Sequence, residues 1–161
     1  MKLGIISDTH DELSRTKLAV SMLQEENVDA IVHCGDFIRA EILTACAIVP
    51  CYFVFGNNDA DNTPDLKQAG TKAGAICLEW GGTFQMNGKR IGVTHGHMRS
   101  DLRRVLESEP DYLLTGHSHM MHDRREGSVR RINPGALRRA SEYTVATLDV
   151  QSDVLKFLYL P

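Results

Sequence analysis

Five stretches of this chain place a carboxylate, an imidazole or an amide directly after an apolar run. Asp8-Thr9-His10 follows Lys2–Ile6. Gly35-Asp36 follows the run that ends at Val32, and Gly56-Asn57-Asn58-Asp59 follows Cys51–Phe55. His95-Gly96-His97 and Gly116-His117-Ser118-His119 end two further runs. Two side chains one residue apart at a strand end share a face, because a strand alternates with a period of two. If strand geometry persists, Asp8 and His10 aim one way, and so do His117 and His119.

The pooled candidates are Asp8, His10, Asp36, Asn57, His95, His117 and His119, which offer oxygen and imidazole donors and no thiolate. Such a set suits Mn²⁺, Fe, Zn²⁺ or Ni²⁺ and argues against a structural cysteine zinc site. Seven donors exceed what one tetrahedral ion takes, so the set predicts two divalent ions. Mn²⁺ is the first choice, with Fe, Zn or Ni as alternatives. Two dications about 3.5 Å apart repel by roughly 19 kcal/mol at an effective dielectric near 20. Anions must lie between them, and Asp36, on a glycine turn between the other motifs, is the best-placed carboxylate. Each motif alone also reads as surface histidines or ordinary turn chemistry. Their recurrence at strand ends carries the metal reading.

The elements that must position these donors follow from periodicity. Strands are predicted over Lys2–Ile6, Asp29–Val32 and Cys51–Phe55, with helices from Ser14 to Glu26 and from Arg39 to Ala47. Leu18, Ala19, Met22 and Leu23 recur at helical spacing. Ser14 is the expected cap, and Pro50 closes the second helix. Asp61–Gly74 reads as a polar loop with a helical piece from Pro64 to Ala73. A strand over Ala75–Trp80 is expected to break at Gly81-Gly82. Asn87-Gly88, between Thr83–Met86 and Lys89–Thr94, is a two-residue hairpin signature. A helix over Ser100–Ser108 and a strand over Asp111–Thr115 follow. Antiparallel strands then run over His122–Arg125, Val129–Ile132, Tyr143–Leu148 and Val154–Leu160. The pattern predicts an α/β or α+β fold with two packed sheets and helices outside. Sites in such sheets gather beyond the carboxyl ends of parallel strands, where all five motifs fall.

A chain of 161 residues suits one domain, 1–161, with a sizeable core. Its net charge of −3 is unlike that of a dedicated nucleic-acid binder. No apolar run is long enough to cross a membrane, and the segment before Asp8 is too short for a signal peptide, so a cytoplasmic protein is expected. Cys34, Cys46, Cys51 and Cys77 form no C-x-x-C pair and read as free, reduced thiols. Eleven of the 18 Lys and Arg residues lie between Lys89 and Arg139, against six acids. That excess is either a solvated surface or a positive field near an anionic substrate.

The ordered set Asp8-x-His10, Gly35-Asp36, Gly56-Asn57-x-Asp59, His95-Gly96-His97 and Gly116-His117-x-His119 resembles the calcineurin-like metallophosphoesterase superfamily. The short length, the lack of insertions and the Asn133-Pro134-Gly135 turn are similar to its small bacterial and archaeal phosphodiesterase branch. The resemblance implies a four-layer α-β-β-α sandwich of two mixed sheets flanked by helices. It implies that Asp8, His10 and His119 bind one metal, that Asn57, His95 and His117 bind the other, and that Asp36 bridges them. It also implies that a metal-bridging hydroxide attacks phosphorus in line.

Asn58 departs from the family pattern, where many members carry histidine and the small branch often carries cysteine. An amide donates a hydrogen bond but is no general acid, and general acid catalysis is worth about 10²–10⁴ in rate. Asn58 is assigned a phosphate contact, and His97 a contact to substrate or to a ligand. Slow action on poor leaving groups is therefore expected unless His97 or a metal-bound water supplies the proton. Asp59 is expected to orient a histidine, whereas His33 and His122 are expected to be structural or exposed. Arg99, Arg124 and Arg125 read mostly as surface charge. The implied partner is a small phosphodiester; cyclic nucleotides, nucleotide diesters and glycerophosphodiesters all fit. No membrane or nucleic-acid partner is expected, and a homodimer is compatible. Two other functions stay open: a protein-interaction scaffold of the same fold, as in the retromer coat's scaffold subunit with its degraded metal site, and a phosphomonoesterase. The filled ligand positions favour an enzyme, and Asn58 and the short chain weigh against the monoesterase.

Overall fold

The computed structural model describes every residue from Met1 to Pro161. Its first half runs β1 (Lys2–Ile6), α1 (Leu13–Glu25), β2 (Ala30–His33), α2 (Ala40–Cys46), β3 (Cys51–Phe53), a 3₁₀ helix (Asn57–Asn62), α3 (Thr63–Lys72) and β4 (Ile76–Cys77). The second half runs β5 (Gly81–Met86), β6 (Lys89–Thr94), α4 (Arg99–Leu106), β7 (Tyr112–Leu114), β8 (His122–Glu126), β9 (Val129–Asn133), β10 (Thr144–Asp149) and β11 (Val154–Tyr159).

Two mixed sheets result. The first has the order β11-β10-β1-β2-β3-β4, the second β5-β6-β7-β9-β8. Strands β1 to β4 pair in parallel, as do β6, β7 and β9. β10 closes the first sheet by returning antiparallel along β1. The period of two in β1 decides the layers. Leu3 and Ile5 enter a core between the sheets with Val32, Ile91, Val93 and Leu114. Ile6 faces the other way, into a core with Leu23 of α1, Leu43 of α2 and Leu66 of α3. Strands buried on both faces read as continuous apolar runs, as β1 and β2 do. Helix α4 packs alone on β5 and β6 of the second sheet. The architecture is the four-layer α-β-β-α sandwich, with three helices on one side and one on the other.

The structure corrects several local readings. Helix α1 begins at Leu13, and no side chain caps it, so Ser14 lies inside its first turn. β3 ends at Phe53; Val54 and Phe55 leave the ladder but stay buried. β4 keeps only two of the six expected residues, and Gly81-Gly82 opens β5 rather than breaking a strand. A Cβ on Gly81 would lie 3.1 Å from a methyl of Val105, so glycine here lets α4 sit close on the sheet. The hairpin is as predicted: Asn87 and Gly88 both have positive φ, at 51° and 75°, and Met86 pairs with Lys89.

Candidate metal centre

The carboxyl ends of β1, β2 and β3 in the first sheet meet those of β6 and β7 in the second. Backbone hydrogen bonds join the loops within each sheet. Asp8 N donates to Gly35 O (3.1 Å) and His10 N to Asp36 O (2.7 Å), while Gly116 N donates to His95 O (3.1 Å). Hydrogen bonds also cross between the sheets, among them His117 N, which donates to Asp8 Oδ2 at 3.0 Å. A Cβ on Gly116 would sit 2.0 Å from Ser7 Oγ and 2.6 Å from Asp8 Oδ2, so only glycine permits this approach.

Strand geometry does not persist into the motifs. β1 stops at Ile6 and β7 at Leu114. Asp8, His10, Asp36, His117 and His119 all take left-handed φ, between 43° and 68°. Each such residue costs about 1–2 kcal/mol, and such strain collects at functional sites. The side chains therefore converge through turns, not through strand alternation. The two neighbouring histidines also separate. The His119 ring pairs with His10 (centroids 5.4 Å apart), and the His117 ring with His95 (5.2 Å).

The centre is a floor of buried donors with a more open rim. Asp8, His95, Asp36 and His10 are 0, 0, 1 and 4% exposed. His119 is partly buried, whereas His117 and Asn57 are exposed. Asp8 Oδ1 lies 3.1 Å from His119 Nε2 and 3.9 Å from His95 Nε2. Asp36 Oδ2 lies 3.4 Å from His95 Nε2 and 4.0 Å from His10 Nε2. Two groups of donor atoms thus lie close enough to grip an ion: Asp8, His10 and His119, and Asp8, Asp36 and His95. Asp8 belongs to both groups, and Asp36 Oδ2 reaches both the His10 and the His95 side. Asn57 opens the 3₁₀ helix next to Asp36, at the rim.

Hydrogen bonds fix which atoms remain free. Asp8 Oδ2 accepts from Ser7 Oγ (2.6 Å) as well as from His117 N, which leaves Oδ1 without a partner. His95 Nδ1 bonds the Cys34 carbonyl at 2.8 Å, so it carries the proton and Nε2 presents a lone pair. His119 Nδ1 bonds the Arg139 carbonyl in the same manner at 3.3 Å. Asp8 Oδ1, His10 Nε2 and His95 Nε2 are buried and unpartnered. Orphaned polar atoms of this kind are costly, and three of them on lone-pair donors fit divalent cations.

The buried carboxylates create a negative field that favours any cation, the His95 imidazolium included. Burial opposes ionisation of Asp36, but His95 and the two Asn58 contacts win and hold its carboxyl well below the usual range. Burial opposes the His95 cation too, yet Asp36 and Asp8 raise its pKa. Burial lowers the pKa of His10 and of His97.

Other residues fall outside the donor set. Asp59 orients no histidine. Its carboxylate accepts the N–H groups of Asp36, Phe37, Ile38 and Gly56 at 2.7–3.0 Å and so shapes the turn that presents Asp36. Burial pushes that carboxyl up to about 6 against the pull of those donors. Asn58 turns its amide onto Asp36 Oδ2 at 2.6 Å, and its N–H onto Oδ1 at 2.8 Å. His97 lies beside His95 and His117, with a buried, unpartnered Nδ1. His33 is fully buried and structural: its Nδ1 accepts from Gly35 N (3.2 Å) and its Nε2 meets Thr9 Oγ1 (3.0 Å). All four cysteines are free thiols. Much of the arginine excess is paired at the surface, Arg130 with Asp123 and Asp153, Arg131 with Glu126, and Arg125 with Asp153.

Sequence reasoning missed Ser7 and the turn Asn133-Pro134-Gly135 as supports. Asn133 Nδ2 donates to Gly116 O (2.8 Å) and to Ser118 Oγ (3.1 Å), which steadies the loop of His117 and His119. Ser7, next to Asp8 at a strand end, was a usable signal. Nothing in the sequence pointed to the Cys34 and Arg139 carbonyls.

The calcineurin-like phosphoesterase superfamily domain matches residues 1–153. The chain belongs to that superfamily. Among relatives of this superfamily, a phosphodiesterase of Methanocaldococcus jannaschii is 29% identical over 144 residues, covering 84% of this chain and 83% of that one. A probable metallophosphoesterase of Bacillus subtilis is 29% identical over 169 residues, covering 98% and 90%. The solved structure of an archaeal phosphodiesterase superposes with a TM-score of 0.89 at 28% identity, over 99% of this chain and 100% of that one. Vps29 of Entamoeba histolytica shares the fold at 16% identity, with a TM-score of 0.70 over the full length of both chains. No helix is long and apolar enough to cross a membrane.

Proposed function

We propose that this protein hydrolyses a small phosphodiester with the help of two divalent metal ions. The observation that carries the reading is the convergence of the buried, unpartnered Asp8 Oδ1, His10 Nε2 and His95 Nε2, with Asp36 Oδ2 within 4.0 Å of both imidazoles. Asp8, His10 and His119 would hold one ion and Asn57, His95 and His117 the other, with the Asp36 carboxylate available to both groups. Mn²⁺ is the first choice, with Fe, Zn or Ni as alternatives, since availability decides among such donors. When bound, the ions neutralise phosphoryl charge and supply hydroxide near neutral pH.

The chain's own residues do the positioning. Asp59 sets the turn that aims Asp36. Ser7 and His117 N hold Asp8 so that Oδ1 faces inward. As the new P–O bond forms, the bond to the leaving alkoxide breaks, and that oxygen must gain a proton. The Asn58 amide cannot give one. His97, beside His95 and His117, is the imidazole placed to do so. Asn58 is a phosphate contact once its amide leaves Asp36. The reading takes residues 1–161 as one cytoplasmic domain, alone or as a homodimer.

The test is hydrolysis of an aryl phosphodiester and of its monoester analogue by metal-stripped protein, with and without Mn²⁺, beside Asp36→Asn. Diester turnover that needs metal and disappears in the variant supports the reading. No turnover despite two bound ions favours the scaffold, and faster monoester turnover favours the phosphomonoesterase.

A further inference from the structure

A hollow of about 380 Å³ opens next to the donor cluster, lined by Trp80, His97, Met98, Ser100 and Asp101. It has the size of a small-molecule site. His97 forms the shared wall: its ring is 5.3 Å from His95 and 6.1 Å from His117 on one side, and 5.9 Å from Trp80 on the other. The fold builds the Trp80 wall into the core, since that ring also packs on Phe55 at 5.5 Å. Met98, at the start of α4, is 48% exposed beside it. The indole, packed on Phe55 from behind, and the exposed thioether form an apolar, polarisable platform.

We propose that this hollow seats the nucleobase arm of the phosphodiester, which makes nucleotide diesters the substrate class; the inference rests on the phosphodiesterase reading. Three features select a base over the other arms that fit a diester. An indole in the wall rewards a π-system, and base–aromatic stacking is worth about 1–3 kcal/mol. Asp101 closes the hollow with a carboxylate that Arg104 engages through only one bond (3.2 Å). That carboxylate repels an anionic arm and accepts from an N–H of a base. His97 Nδ1 is buried without a partner at the boundary. A glycerol arm would leave the indole and Met98 unused.

The experiment compares two diesters with the same leaving group, thymidine 5′-(p-nitrophenyl phosphate) and methyl p-nitrophenyl phosphate, on Mn²⁺-loaded protein. The expected result is a kcat/KM at least about tenfold higher for the thymidine diester. Trp80→Leu and, should that variant fold poorly, the surface change Met98→Glu are expected to bring the ratio towards one. A wild-type ratio near one, or a ratio unchanged in both variants, overturns the proposal. A second readout separates it from the phosphodiesterase reading. Trp80 is the single tryptophan of the chain, so thymidine 5′-monophosphate titrated into Mn²⁺-loaded protein reports directly on the hollow. Saturable quenching without turnover of either diester would retain the nucleobase site and reject the phosphodiesterase. Absence of quenching with turnover intact would reject the nucleobase site alone.

Discussion

The two sheets bring different chemistry to one place. Loops after β1, β2 and β3 supply both carboxylates, Asp8 and Asp36, with His10 and Asn57. Loops after β6 and β7 supply only imidazoles, His95, His117 and His119. The acidic side is the more enclosed and the more heavily braced. Three helices back the first sheet, while α4 alone backs the second. Asp36 takes two hydrogen bonds from Asn58, and Asp59 grips its turn through three further N–H groups besides that of Asp36 itself. On the imidazole side His95 is as buried as Asp8, but His117 is exposed and His119 half-buried. The difference follows from the cost of burying charge. An anion held away from water needs fixed donors, whereas a neutral imidazole needs only one bond to set its tautomer.

The largest expected effect breaks the acidic side. On the proposed two-ion reading, Asp36→Asn removes the charge that would offset the cations, and diester turnover is expected to fall by about 10³-fold or more. His117→Ala, on the imidazole side, is expected to weaken metal binding by at least about 10-fold, the cost of losing merely a bond that supports a ligand, with much of the turnover recovered by added Mn²⁺. Equal losses in the two variants at saturating metal would erase the proposed asymmetry.

Asn58 lies on the acidic rim and lacks a transferable proton. Asn58→His is expected to raise the rate on an alkyl diester relative to an aryl one by about 10²-fold. An unchanged alkyl-to-aryl ratio would mean that leaving-group protonation does not limit the reaction.

Ions held as proposed, from both sheets, would also tie the sheets together. With Mn²⁺ at about 100 times its dissociation constant, the folded state gains about 2.7 kcal/mol. Chelation is then expected to lower Tm by about 5–10 °C, measured by thermal unfolding with and without EDTA. Asp36→Asn is expected to lose most of that difference.

The smallest effect concerns His33, which joins the β1 and β2 loops through Thr9 and Gly35. Burial pushes its pKa down to about 3 from 6.5, so the folded state keeps it neutral while the unfolded chain takes up the proton. Its stabilisation is present above pH 6.5 and is lost as pH falls towards 3. At pH 5 the loss is about 2 kcal/mol relative to pH 7. Metal-free wild type and His33→Gln, unfolded by urea at both pH values, should differ in pH sensitivity by that amount. Identical sensitivity would show that the ring is not held neutral.

The legible part of this protein was what repeats along the chain. The apolar runs of β1, β2 and β7, the helical spacing of Leu18, Ala19, Met22 and Leu23, and the Asn87-Gly88 turn each carry a local signature, and so do the donors placed just beyond strand ends. Short-range features were less legible. β4 shrank to two residues, and Gly81-Gly82, which looks like a breaker, opens β5 because α4 needs the room.

The sequence by itself determined the candidate donors and their place at strand ends, because residue type and order are enough to recognise carboxylates and imidazoles after apolar runs. Only the tertiary structure decided how they meet. Left-handed turns at Asp8, His10, Asp36, His117 and His119 replaced strand alternation, sent His117 and His119 to different neighbours, and gave Asp59 a backbone turn to hold in place of a histidine. The bonds that choose each donor atom come from distant positions, the Cys34 carbonyl for His95 and the Arg139 carbonyl for His119. Backbone carbonyls are the same at every residue, so their role is set by where two sheets pack and not by any letter of the chain.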